Sequence, residues 1–386
     1  MRRYWHKQPL LVRNAIPAFS LAKAAKRPLD SPIQPESLFK MACDGKSESR
    51  LIQAQPWRFD TGPFSAKALP KLTDKNWTLL IQGVEVRHSA AAKVLSWFRF
   101  IPDARLDDLM ISIAGVGGGV GPHFDSYDVF LIQMSGRRRW TISQQSDLSL
   151  NPKLPLKILS RFKPETSWDL EPGDLLYLPP HIAHEGIALD PACQTWSVGF
   201  RSPSFRELLQ EGLWQLAETL EEDPHLENRY ADPDQIASSD PSEFPSQMAK
   251  QVKALFLQSI QDKEKRGVND FWEKAIAQYL SEPKPQAFFY PPKKMLSLEL
   301  FLRQLESDAL VIHPQTRILT QGKFIFCNGE EVSQDQSVTI CNLWRQLGRQ
   351  KRIKPNQSIR AKETNTLYGA YLAGWLRFEK DPKSSL

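Results

Sequence analysis

The residues of this chain best suited to chemistry are an imidazole and a carboxylate two positions apart, His123 and Asp125. They follow the run Gly115-Val116-Gly117-Gly118-Gly119-Val120-Gly121-Pro122 and precede an apolar strand-like stretch, Val129-Phe130-Leu131-Ile132. Strand side chains alternate faces, so a strand reaching back to the pair would point His123 and Asp125 the same way. Together they fill two positions of a metal ion. One more histidine completes the facial triad of non-haem Fe(II), which leaves positions open for a chelating co-substrate and oxygen. Alone, His-x-Asp is a short motif that matches by chance, and two residues that only hydrogen-bond at a strand end are the commoner outcome.

A second stretch offers the missing ligand. In Glu171-Pro172-Gly173-Asp174-Leu175-Leu176-Tyr177-Leu178-Pro179-Pro180-His181-Ile182-Ala183-His184 a Pro-Gly-Asp turn launches a strand and two prolines stop it at a bend. His181 and His184 are then near-equal candidates. Between the two stretches, Ser135-Gly136 is a turn signal, which predicts that Arg137-Arg138-Arg139-Trp140-Thr141-Ile142 is a hairpin partner of the preceding strand. Arg138 and Trp140 share one face of it, and Arg137, Arg139 and Thr141 the other. A guanidinium on the inner face of a buried strand needs an anionic partner.

The elements that must position these groups read as many short strands. Leu10 to Arg13, Ser49 to Ile52, Trp57 to Phe59, Trp77 to Val84, Asp107 to Ala114 and Thr195 to Phe200 are strand-like, with helices over Pro35 to Met41 and Ala90 to Phe98. Such a pattern indicates a barrel or jelly roll with a site in its mouth. Ser204 and Glu207 form a capping box for a helix through about Glu221. Ser246 to Gln261 and Val268 to Leu280 read as amphipathic helices, for which a dimerisation role is favoured over packing on their own barrel. Beyond a proline-rich linker, Leu296 to Leu305, a hairpin of Arg317 to Thr320 with Lys323 to Gly329, and helices over Val338 to Leu347 and Thr364 to Phe378 suggest a winged-helix arrangement. Its Arg345, Arg349, Lys351, Arg352 and Lys354 could contact RNA, but a solvated basic surface is the favoured reading.

Composition sets bounds. The chain has 386 residues, 41% of them hydrophobic and 24% charged, with a net charge of +6. That length suits two or three domains. No apolar run reaches the length needed to span a bilayer. The basic start, Met1-Arg2-Arg3, has no apolar stretch behind it and is not read as a signal peptide. The cysteines Cys43, Cys193, Cys327 and Cys341 form no C-x-x-C pair, which argues for a reducing compartment and against zinc. A cytoplasmic protein is expected.

Taken together, the glycine run with His123-x-Asp125-x-Tyr127-Asp128, Gly136 to Trp140, Glu171-Pro-Gly-Asp, Pro179-Pro180 with His184-Glu185-Gly186, and Ser197 to Arg201 resemble the JmjC-type ribosomal oxygenases of bacteria. The resemblance implies a mainly β double-stranded β-helix (cupin) core over residues 1–203, a helical dimerisation region over 204–283 and a winged-helix-like α+β domain over 284–386. It implies a homodimer that hydroxylates an arginine of large-subunit ribosomal protein L-sixteen, with Fe(II), 2-oxoglutarate and O2. Residue by residue it carries over His123, Asp125 and His184 as metal ligands, Arg138 as partner of the co-substrate's distal carboxylate, and Ser112 as a hydroxyl facing the co-substrate. His181 then reads as a rim residue. Tyr127, Asp128 and Asp108 are candidates for binding a cationic substrate side chain; the alternative is that Tyr127 packs and Asp128 accepts a backbone bond.

Two departures stand out. Ala114 occupies a position where relatives carry a second hydroxyl, so a contact made there is expected to be absent. Relatives also have a longer lead-in before Tyr4-Trp5-His6, which implies a misassigned start or a missing first strand. Two other readings remain: an oxygenase acting on a protein histidine or a small molecule, and a non-catalytic cupin-like scaffold. A triad kept intact beside Arg138 weighs against the scaffold.

Overall fold

The structure, a computed structural model, describes residues 1–19, 31–54, 56–154, 156–221, 224–234, 236–237, 240–242, 244–265, 271–285, 287–334, 336–355 and 364–379. It divides into two compact units, Met1–Ser202 and the chain from Pro203 onward.

The first unit holds strands β1 (Leu10–Val12), β2 (Ser49–Gln53), β3 (Arg58–Thr61), β4 (Trp77–Ile81), β5 (Leu106–Ala114), β6 (Val129–Ser135), β7 (Arg138–Ser143), β8 (Thr166–Leu170), β9 (Leu175–Leu178), β10 (Ala183–Ala188) and β11 (Cys193–Phe200). Helices α1 (Pro35–Cys43) and α2 (Ser89–Ser96) complete it. A large antiparallel sheet runs β1-β9-β6-β11-β5-β4-β2-β3, and a smaller one runs β10-β7-β8. Val129, Leu131, Leu176 and Leu178 of the large sheet pack on Trp140, Ile142 and Leu170 of the small one. This is the two-sheet cupin core.

The other side of the large sheet is buried too. Leu79, Ile81, Ile111, Ile113, Trp196 and Val198 pack beneath Leu38 and Met41 of α1 and Ala91 and Val94 of α2. Hence β4 and β11 are buried along their whole length rather than alternating. Ile111 and Ile113 are fully enclosed, and each such side chain contributes roughly 1.5–3 kcal/mol.

Two local expectations are corrected. The Ser135-Gly136 turn makes no hairpin: β6 pairs with β9 and β11, whereas β7 pairs with β8 and β10. Gly136, at φ 61°, instead hands the chain from one sheet to the other. His123 and Asp125 do not lie in β6 but in the loop before it, where Gly121 adopts φ 78° and Pro122 lacks an N–H for a ladder. Strands β8 and β10 escaped the sequence reading, since Ala183-His184-Glu185-Gly186 carries no β-type signature.

The second unit begins with α3 (Phe205–Glu221), α4 (Ser246–Lys265) and α5 (Phe271–Ser281). Positions 268–270 of the expected third helix lie outside the described residues. Ser204 and Glu207 do form the capping box, through Glu207 N to Ser204 Oγ at 3.1 Å and Ser204 N to Glu207 Oε2 at 2.6 Å. There follow α6 (Leu298–Ser307), β12 (Ala309–Ile312), the hairpin β13 (Ile318–Gln321) and β14 (Phe324–Cys327) with β15 (Glu330–Glu331), α7 (Val338–Gln350), β16 (Arg352–Ile353), α8 (Asn365–Leu372) and β17 (Leu376–Glu379). Phe301, Leu310, Ile340, Trp344, Leu347 and Tyr371 share its core. The helix expected through Phe378 stops at Leu372, because Gly374 turns at φ 78° and the chain returns as β17 beside β12. A Cβ at Gly374 would meet the Tyr290 carbonyl oxygen at 2.3 Å. Among the described residues, no helix is long and apolar enough to cross a membrane.

Candidate metal and co-substrate site

The glycine run is shaped by contact, not by flexibility alone. It is stitched between β4 and β10 by Gly115 N to Trp77 O at 3.2 Å, Gly117 N to Ala188 O at 2.8 Å and Ala188 N to Gly118 O at 2.8 Å. A Cβ on Gly118 would sit 2.0 Å from the Trp77 carbonyl oxygen, and one on Gly119 would sit 2.6 Å from that of Gly186. Only glycine lets the loop pass this close.

The loop delivers His123 opposite His184. Their backbones exchange two hydrogen bonds, His123 N to His184 O at 2.9 Å and His184 N to His123 O at 2.7 Å. An antiparallel bridge of this kind places both side chains on one side, and the rings lie 4.3 Å apart. Asp125 joins them. One ligand atom from each of His123, Asp125 and His184 lies within 4.8 Å of the others, and His184 Nε2 is 3.7 Å from Asp125 Oδ2.

Both imidazoles are oriented from behind. His123 Nδ1 lies 2.9 Å from the Gly121 carbonyl and His184 Nδ1 lies 2.8 Å from the Ile182 carbonyl. A carbonyl only accepts, so Nδ1–H is the tautomer in each case and Nε2 is left as a lone-pair donor to a metal. Burial, then the neighbouring His123, push the His184 imidazole down to about 4, so it is neutral near pH 7. His181 is exposed at the bend, at φ 65°, and is not in the cluster. Its backbone N–H instead holds the Asp125 carbonyl at 2.8 Å.

Arg138 projects inward from β7 and is 3% exposed, whereas Arg139 and Arg137 pair outward with Asp169 and Asp190. Its Nε and Nη2 are buried without a hydrogen-bond partner. A buried guanidinium left in this state is costly, so its lack of partners marks a site shaped for an anion. The Trp140 indole lies between it and the metal cluster, 5.9 Å from the guanidinium carbon and 5.8 Å from the His184 ring. Ser112 is on the inner face of β5, where its hydroxyl donates to Thr195 O at 3.2 Å.

The acidic candidates separate. Asp128 is fully buried and turned away from the metal cluster, which corrects its assignment as a substrate contact. It accepts from the Tyr177 hydroxyl at 2.5 Å, and His6 Nε2 lies 3.0 Å away. Its carboxylate is thus held by side chains, while its own carbonyl accepts a backbone bond from Phe200 N at 3.2 Å. Asp108 is 4% exposed, and Tyr127 is on the surface. Both border Gly199, where an added Cβ would lie 3.7 Å from the Tyr127 ring and 3.8 Å from Asp108 Oδ1. Partial burial, then Asp125, Asp108 and Asp107, raise the Tyr127 phenol well above its ordinary value.

Comparison with known proteins sets this geometry in context. Residues 93–208 match the JmjC domain and residues 258–377 match the ROXA-like winged helix. The chain is 32% identical over 336 residues to the ribosomal protein uL16 3-hydroxylase of Escherichia coli, spanning 86% of this chain and 84% of that protein. It is 34% identical over 216 residues to a probable ribosomal oxygenase of Haemophilus influenzae, spanning 54% of this chain and 50% of that one. Among solved structures, YcfD, a ribosomal oxygenase from Escherichia coli in complex with cobalt and 2-oxoglutarate, superposes with a TM-score of 0.79 at 29% identity, covering 98% of this chain and 96% of that one.

Proposed function

The chain belongs to the JmjC-domain ribosomal oxygenases, and from that premise we propose that it hydroxylates an arginine side chain of ribosomal protein uL16 in the cytoplasm. The observation that carries this is the pairing of one buried, partnerless guanidinium with one His-Asp-His cluster inside the same cupin core. Bound there, Fe(II) with 2-oxoglutarate and O2 supplies the oxidising power to hydroxylate an unactivated carbon, and the co-substrate leaves as succinate and carbon dioxide.

The protein's own contribution is positional. His123, Asp125 and His184 hold the metal through Nε2, a carboxylate oxygen and Nε2. Arg138 binds the far carboxylate of 2-oxoglutarate, for which a planar guanidinium offers two parallel N–H donors. Ser112 lines the same inner face, and Trp140 walls the space between the two ends. Tyr127 and Asp108 take the substrate's guanidinium beside Gly199, because a cation entering a β-walled mouth requires a carboxylate there. The helices of residues 204–283 form the dimerisation region: Phe205, Leu209, Leu213 and Trp214 of α3 and Val252 and Phe256 of α4 are exposed large apolar side chains, which indicates a surface that a second copy covers.

The test is intact-mass analysis of uL16 incubated with the enzyme, Fe(II), 2-oxoglutarate and O2, beside a His123→Ala control. Gain of one oxygen atom, absent from the control, is expected. Succinate without modified uL16 would keep the oxygenase and reject this target. Neither product, from protein shown to retain iron, would favour the scaffold reading.

A further inference from the structure

Arg138 is not the only buried group of this core without a partner. The Thr78 hydroxyl, at the start of β4, is also buried and makes no hydrogen bond, and the residue is 0% exposed. Leaving a buried hydroxyl unpaired destabilises a fold. Valine would fill the same strand position, with the same β-branched shape, at no such cost. A threonine kept there needs a ligand or some other reason.

Its place in the sheets supplies one. In the β4–β5 register Thr78 stands directly opposite Ala114, and the next inward pair is Leu80 with Ser112. Thr78, Ala114 and Ser112 therefore share the inner face. Ala114 packs against Ala188 of the facing sheet, and Ala188 is the register partner of Arg138. Thr78 and Arg138 thus flank the same Ala114–Ala188 contact from opposite sheets. Position 114 is also where the family resemblance leads one to expect a hydroxyl and finds a methyl.

We propose that Thr78 supplies, from the neighbouring strand, the hydroxyl that position 114 lacks, and donates it to the distal carboxylate of 2-oxoglutarate beside Arg138. This rests on the oxygenase reading above and deepens it. A carboxylate has about four lone-pair sites. Arg138 fills two of them and the Thr78 hydroxyl a third. The Trp140 indole N–H, likewise buried and unpaired, lies along the wall between this end and the metal end. The loss of a hydroxyl at position 114 is therefore compensated rather than simply tolerated.

The experiment uses the full chain loaded with Mn(II) in the absence of oxygen, with keto-acid binding followed by calorimetry. Thr78→Val is expected to weaken 2-oxoglutarate binding on the order of tenfold, the value of one hydrogen bond to a charged group. It should leave Mn(II) affinity unchanged. It should also leave 2-oxopentanoate affinity unchanged, since that acid keeps the chelating end and lacks the distal carboxylate. Metal-free Thr78→Val should melt no earlier than wild type, because it sheds an unpaired hydroxyl. Thr78→Ser, and Ala114→Ser in the Thr78→Val background, should restore 2-oxoglutarate affinity. Unchanged 2-oxoglutarate binding by Thr78→Val would overturn the proposal, as would equal losses for both keto acids. If the valine variant melts earlier, rescue by Ala114→Ser decides, and failure of that rescue counts against Thr78. Wild-type protein that binds neither keto acid would sink the oxygenase reading itself, a result distinct from wild-type binding with an unaffected variant.

Discussion

Arg138 shows how a single residue reveals what the protein is built to hold. Its guanidinium is 3% exposed, and two of its nitrogens have no partner. The fold is therefore carrying an uncompensated buried charge, which a bound dicarboxylate would neutralise. Arg138→Met is expected to weaken 2-oxoglutarate binding on the order of 100-fold, two charge-assisted hydrogen bonds being lost. Metal-free stability should stay level or rise, because an apolar side chain of similar length removes the unpaired charge. Urea unfolding and calorimetry on the same preparation check both; a clear drop in metal-free stability would mean that Arg138 is a structural residue. Asp128 makes the opposite case. It sits three positions from Asp125 of the candidate metal cluster yet serves the scaffold, tying His6 and Tyr177 to the start of β6. Proximity in sequence to the metal motif did not reveal that role, because its partners His6 and Tyr177 come from distant segments.

At the scale of elements, the glycine loop and the two sheets it joins do the positioning. Two glycines illustrate distinct physical limits. Gly118→Ala places a Cβ 2.0 Å from the backbone oxygen of Trp77, which no side-chain adjustment relieves. The loop must leave β4, so the variant is expected to lose Mn(II) binding and to unfold at a markedly lower urea midpoint. Gly83→Ala meets nothing within 4 Å, but its φ of 64° is strained for alanine. It should cost only about 1 kcal/mol and spare metal binding. Similar losses in the two variants would show that conformation, not close approach, governs the loop. In the second unit, His313 accepts a hydrogen bond at Nδ1 from Gln315 N at 3.3 Å. Burial, then Arg377, hold its imidazole below the ordinary 6.5. Below that value the unfolded chain takes up a proton that the native state resists. This group's contribution is therefore present above pH 6.5 and is lost as the pH falls below it. Thermal melts at about pH 7.5 and pH 5.5 should show a larger loss for wild type than for His313→Gln. Parallel losses would remove His313 from the account.

At the scale of the whole molecule, the exposed side chains of α3 and α4 are what the proposed dimer rests on. Phe205 is 85% and Trp214 72% exposed, and grouped apolar side chains left to water mark an interaction surface. The double variant Leu209→Glu, Leu213→Glu places charges on that stripe, and it is expected to sediment as a monomer where wild type sediments as a dimer. Keto-acid binding should persist, since the triad and Arg138 belong to the first unit. A wild-type monomer at micromolar concentration would instead assign the stripe to another partner.

The chemistry was legible in residue types and their order along the chain. His123-x-Asp125, the Pro-Pro bend before His184 and an arginine on a buried strand are local signals, legible because ligand type and strand alternation are short-range properties. A barrel or jelly roll and the winged-helix unit were legible through strand density and helix periodicity, whereas the cupin class came from the family resemblance. Residue type and spacing left His181 and His184 near-equal and the family resemblance favoured His184; the tertiary structure supplied the physical reason, a reciprocal backbone bridge between His123 and His184 that joins distant segments. Only the tertiary structure moved β7 into the second sheet, since a Ser-Gly turn can close a hairpin or change sheets with the same residues. It alone set Thr78 opposite Ala114 and buried Asp128 against His6, because register and burial are properties of packed strands and not of any one of them.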